Sequence, residues 1–128
     1  MYPFMSQESD VDIDSPLSVE EIALIENSGL SVSDRHFLKL LAHCLSCFKE
    51  MSNFVESGSL PNEAIRFEWL MMKYKLKRDQ AFASVLLEQF GSAAYQLELL
   101  AKRNHISPLE LKLDHLIEFF QTSEEERN

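Results

Sequence analysis

Phe37-Leu-Lys-Leu-Leu-Ala-His-Cys-Leu-Ser-Cys-Phe-Lys-Glu-Met-Ser-Asn-Phe-Val55 carries a sustained apolar rhythm near the middle of the chain. Phe37, Leu40, Leu41, Cys44, Leu45, Phe48, Met51 and Val55 recur at steps of three and four, the signature of one apolar face of an α-helix. Leu38, Ala42, Cys47 and Phe54 widen that face into a broad arc. A helix apolar over so much of its circumference belongs in the middle of a bundle, with neighbours on several sides. Ser33 is the expected N-cap, with Val32 and Phe37 as a hydrophobic staple, and Glu56-Ser-Gly58 is the expected stop.

Upstream, Ser18-Val-Glu-Glu21 is a capping box that opens a short helix, closed near Asn27-Ser-Gly29. Downstream, Pro61 suits the first turn of a third helix, with Ile65, Trp69, Met72 and Leu76 as its main apolar face. Lys73, Lys75, Lys77 and Arg78 then oppose the macrodipole at its end. One unbroken helix from Pro61 to His105 would be about 67 Å long, too long for a compact domain of this size, so a turn is expected near residues 75–79, with Asp79 as the next cap. The fourth helix carries Phe82, Leu86, Phe90, Ala93, Leu97 and Leu100 on one face, and Gly91-Ser-Ala-Ala94 allows close approach. Ser107-Pro-Leu-Glu110 combines N-cap, proline at N1 and Glu at N3, which opens a fifth helix, with Ile106 and Leu111 as its staple. Leu109, Leu113, Leu116, Ile117 and Phe120 form its core face.

The expectation is an all-α compact bundle of about five helices, one short and four longer. With only 3 Gly and 4 Pro in 128 residues, the chain lacks the turns a many-stranded β protein needs. Apolar residues at 45% suffice for a core, so one helical domain is expected over residues 17–122. No internal repeat suggests a solenoid. Residues 1–16 read as an acidic flexible leader and residues 123–128 as an acidic solvated tail.

Residues 1–34 hold eight acids and no Lys or Arg, whereas the rest sets thirteen acids against all twelve bases. The net charge of -9 therefore resides mostly in the leader and first helix, which repel phosphate backbones and anionic lipids. The first residues lack the basic and apolar regions of a signal peptide, and no run is long enough to span a bilayer. Two cysteines one turn apart cannot staple distant parts of the fold, so a reducing, cytoplasmic setting is expected.

No catalytic motif emerges. His36, His43 and Cys47 share a helical stripe and are the candidate metal ligands, but they fall short of the four a structural zinc site requires. Cys44-Leu-Ser-Cys47 has redox spacing, yet it lies inside a helix rather than at the N-terminus that stabilises a thiolate. No histidine has Glu three positions before it, so a carboxylate-bridged di-iron bundle is excluded. The scattered glycines exclude a phosphate loop. No nucleophile elbow is present to suggest a Ser/His/Asp triad, no cofactor is implied and no small-molecule ligand is inferred.

Two surface features remain. Arg66, Lys73, Lys75, Lys77 and Arg78, interleaved with aromatics, have the composition of a nucleic-acid surface. The acidic leader competes for those bases, and nucleic acid is accordingly disfavoured as partner. The third helix also has a second apolar stripe, Phe67, Leu70, Met71 and Tyr74, and the fifth carries Phe119 off its core side. These five residues are the candidate partner-binding surface, for another protein or for a second copy of this chain. The expected function is a non-catalytic helical binding protein of adaptor or regulatory type; a nucleic-acid-binding regulator and a metal-binding helical protein are the alternatives.

Overall fold

The computed structural model describes residues 17–74 and 80–127, with backbone alone at residues 74 and 80. The expected leader, the turn at residues 75–79 and the Asp79 cap lie outside the described residues. Within them the chain forms α1 (Val19–Glu26), α2 (Val32–Met51), α3 (Glu63–Tyr74), α4 (Gln80–Arg103), a 3-10 turn (Pro108–Glu110) and α5 (Leu113–Arg127). The fold is an all-α bundle of five helices, as the apolar periodicity implies. None of these helices is long and apolar enough to cross a membrane.

Helix α2 is the axis of the bundle and packs against all four other helices. Leu38, Leu41, Ala42, Cys44, Leu45, Cys47 and Phe48 are buried along it, and Phe48 meets Phe90 of α4 with ring centroids 5.3 Å apart. Leu86, Phe90, Ala93, Leu97 and Leu100 supply the facing side of α4. Helices α3 and α4 lie against each other, Trp69 edge-on to Phe90 at 6.2 Å, which one unbroken helix does not permit.

Helix ends follow local capping chemistry. Ser18 and Glu21 close the expected box on α1, Ser18 N donating to Glu21 Oε1 at 2.9 Å and Glu21 N to Ser18 Oγ at 3.1 Å. The cap of α2 is Ser31 rather than Ser33: its Oγ accepts from Asp34 N at 3.3 Å, and Val32 stands 73% exposed, so no Val32–Phe37 staple forms. Ser31 wins because its own amide donates to Glu124 Oε2 at 2.9 Å, a partner 93 residues away.

Helix α2 also stops at Met51, well before Gly58. Asn53 takes the left-handed conformation (φ 58), Asn53 N donates to Glu50 O at 3.0 Å and Phe54 N to Lys49 O at 2.8 Å. That pair of bonds is a Schellman closure with asparagine in the position glycine usually holds. The same device ends α4 at His105 (φ 60), with Ile106 N donating to Ala101 O at 3.1 Å. The cap of α3 is Asn62, whose Oδ1 accepts from Ile65 N at 3.0 Å.

The Ser107–Glu110 box forms but heads only the 3-10 turn: Leu111 N donates to Pro108 O at 3.1 Å and Leu111 itself is extended (φ -62, ψ 143). Leu109 N, one of the amides a helix start leaves unpaired, donates to Gly58 O at 3.1 Å. Lys112 restarts the chain as α5, its amide donating to His115 Nδ1 at 2.9 Å. Residues 123–127 continue α5, where Arg127 pairs with Asp34 at 2.6 Å, so the expected solvated tail docks on the start of α2.

Candidate interaction surface

Helix α3 buries neither of its two expected stripes as a unit. Its inward arc runs along the seam between them, where Leu70 is fully enclosed and Arg66 and Trp69 are half-buried. Ile65 and Met72, expected in the core, stand 42% and 79% exposed. From the other stripe, Leu70 moves into the core and is lost to any partner, Met71 is half-buried and Phe67 remains 43% exposed. The side chain of Tyr74 lies outside the described residues. Phe119 is half-buried, edge-on to Phe120 at 5.4 Å and capped by the Arg103 guanidinium at 5.4 Å. Phe119, Arg103 and Thr122 border a shallow cleft of about 210 Å³.

The basic segment is partly engaged inside the bundle. The Arg66 guanidinium lies 5.9 Å from the Phe48 ring centroid, and its Nη1 comes within 4.0 Å of where a Gly91 side chain would begin. Lys73 lies 5.7 Å from the Trp69 ring and 4.0 Å from Glu50. Lys75, Lys77 and Arg78 lie outside the described residues.

The candidate metal stripe separates by burial. His36 is exposed, whereas His43 and Cys47 are buried with Cys44. Burial, then the nearby Lys73 charge, lowers the His43 pKa to about 4, so its imidazole is neutral at pH 7. Burial pushes the Cys44 thiol up to about 12 and the Cys47 thiol higher still. Protonated thiols are poor nucleophiles and poor ligands. Among the described residues no group of three or more His, Cys, Asp or Glu is arranged to hold a metal ion.

A larger concave feature than the Phe119 cleft lies, among the described residues, where the α2–α3 and α4–α5 connections meet. Gly58 N donates to Ser107 Oγ at 2.9 Å, which with the Leu109–Gly58 bond ties the two connections together. Beside this tie is a cleft of about 860 Å³. Phe54, Val55, Glu56 and Ser57 line one side and Ile106, Leu109 and Glu110 another, with Lys49, Lys112 and His115 completing the wall. Phe54 and Val55 are 69% and 50% exposed.

Phe54 also holds φ 59. The left-handed region costs a bulky residue roughly 1–2 kcal/mol, and such strain persists only where the surroundings impose it. Here the closure of α2 imposes it and turns an aromatic ring to solvent. The sequence carries a signal for this turn, because asparagine at position 53 is a known left-handed helix stop. Nothing in the apolar pattern separates Phe54 and Val55 from the buried face that precedes them.

The polar groups of the cleft are unequally free. Glu110 accepts from Ser107 N at 2.9 Å and Ser107 Oγ at 2.7 Å, and these bonds hold its carboxyl below the usual range. Lys49 Nζ donates to Leu111 O at 2.6 Å. Partial burial, then the Lys112 charge, lowers the Lys49 pKa, while Glu21 pulls the other way. His115 Nδ1 accepts a backbone amide, so the proton of the neutral ring lies on Nε2.

Residues 17–127 match the model of the family described as NDH complex assembly factor CRR9, a span that takes in all five helices and the cleft. The chain belongs to that family. No curated protein and no solved structure matches it.

Proposed function

From its membership of the NDH complex assembly factor CRR9 family, we propose that this chain is a non-catalytic binding protein that assists assembly of an NDH complex, gripping an intermediate of that complex through apolar contacts. The family match over residues 17–127 carries the reading. The exposed pair Phe54 and Val55, held beside the cleft by a tied and strained connection, supports a docking role, since rigid aromatic anchors dominate protein interfaces. Phe67, Met72 and Phe119 are secondary contacts in this reading, and self-association through the α3 face is the alternative use of that surface.

The test is accumulation of assembled NDH complex, read on native gels, in cells lacking the chain. Assembled complex is expected to fall, to recover with the natural sequence, and to stay low with Phe54→Asp/Val55→Asp despite unchanged helicity of the purified variant. Normal complex levels in the deleted cells would remove the proposal. A solution mass of twice the chain, lost in Phe67→Asp/Met72→Asp, would instead assign the α3 face to self-association.

A further inference from the structure

The cleft between the two connections has a selective chemistry as well as a shape. Phe54, Val55, Ile106 and Leu109 give it apolar lining. Among its charged groups, the exposed Glu110 keeps its charge but is engaged by Ser107 in the capping box, which leaves Glu56 as the lining carboxylate whose hydrogen-bonding capacity is open. Against it stand the ammonium groups of Lys49 and Lys112, close enough to oppose each other's charge, and the Nε2–H of His115. Free hydrogen-bonding capacity is therefore weighted towards donors. Lys49, partly buried and opposed by the exposed Lys112 ammonium, is relieved by an incoming anion, Glu21 being the carboxylate that already acts on it.

Four consecutive residues on one side, 54–57, are exposed. That open side suits a chain that enters and leaves rather than an enclosed small molecule, and the volume lies in the range of about 300–1,000 Å³ typical of ligand clefts.

We propose that this cleft binds an extended peptide segment of a partner protein that presents an apolar side chain next to a carboxylate. The apolar side chain lies among Phe54, Val55, Ile106 and Leu109, and the carboxylate meets Lys112 and the His115 Nε2–H, with Lys49 adding charge. This deepens the assembly reading and rests on it for the identity of the partner, though not for the chemistry of the cleft.

The test uses the full chain, isotope-labelled, with three synthetic peptides: acetyl-Leu-Phe-Asp-Glu-amide, its uncharged counterpart acetyl-Leu-Phe-Asn-Gln-amide, and acetyl-Leu-Phe-Lys-Lys-amide. The acidic peptide is expected to shift the backbone amides of Val55, Ser57, Leu109 and Lys112, and to bind at least about fivefold tighter than the uncharged one. Its advantage should shrink as salt rises from about 50 to about 300 mM. Lys112→Ala should reduce the preference and Lys112→Glu abolish it, while Glu56→Gln should strengthen it; Lys112 and Glu56 are exposed, and circular dichroism checks that each variant is folded.

Equal binding of acidic and uncharged peptides, tighter binding of the lysine peptide, or no shift at millimolar peptide would each overturn the proposal. So would vesicles of phosphatidylcholine and phosphatidylserine shifting these amides when no peptide does, which would make the surface a lipid contact. The two readings fail separately. Unselective peptides leave the assembly role standing, and normal NDH complex in deleted cells leaves the peptide preference standing.

Discussion

His43 sits inside α2 at 9% exposure, between the buried pair Ala42 and Cys44. Its environment penalises the imidazolium by burial first and by the Lys73 charge second. Above pH 6.5 the ring is neutral in both folded and unfolded chains and contributes no pH dependence. As the pH falls below 6.5 the unfolded chain takes up a proton that the folded chain refuses until about pH 4, so stability declines across that window. A drop from 6.5 to about 4 corresponds to roughly 3 kcal/mol at about 1.4 kcal/mol per pH unit. Urea unfolding of the natural chain should show this slope between pH 6.5 and 4.5. His43→Gln should be less stable at pH 7 but flat over the same interval. A slope that survives the substitution would place its origin in another group. Carboxylates such as Glu26, ion-paired with Lys39, act at lower pH, because their stabilisation is lost only as pH falls through a lowered carboxyl pKa.

Helix α3 shows how an element can be recognised correctly and turned wrongly. Each residue advances about 100° around the axis, so Trp69 and Leu70 lie at the border of the two stripes read from the sequence. Both stripes are apolar enough to serve as the core face, and periodicity does not choose between them. The packing of α3 on α4 and α2 chooses, with Phe90 and Phe48 receiving Trp69 and Arg66. The consequence is measurable in stability. Leu70→Ala removes a fully enclosed side chain and should cost about 2–5 kcal/mol. Met72→Ala, at 79% exposure, should change stability by less than about 0.5 kcal/mol. Equal losses in urea unfolding would contradict the observed orientation. The helix stops are subject to similar ambiguity: Asn53 closes α2 where glycine at 58 is the more familiar signal, and the difference exposes Phe54 and Val55.

At the scale of the whole molecule, stability converges on α2, because every other helix packs against it. Cys44 and Cys47 lie in its buried arc, so their reactivity reports opening of the bundle as a whole. With the Cys44 thiol at about 12, only about one thiol in 10⁵ is ionised at pH 7. Under native conditions a thiol reagent should label both cysteines at least about a thousandfold more slowly than in denaturant, and at a rate that follows global stability in the Leu70→Ala variant. Fast labelling of one cysteine in the folded chain would show a local opening of α2 instead.

The apolar rhythm of residues 37–51 and the Ser18–Glu21 box are each written within a few neighbouring residues, and they carry the helical class and the central place of α2; the count of five helices needed in addition the length limit that breaks residues 61–105 in two. Interactions spanning one helical turn are contained in any short window of sequence. The choice of Ser31 as cap, the docking of residues 123–127, the inward turn of Leu70 and the meeting of residues 54–57 with 106–115 were decided only by the tertiary structure. Each depends on groups separated by many residues along the chain, such as Ser31 and Glu124, which come within hydrogen-bonding distance only after the helices have packed.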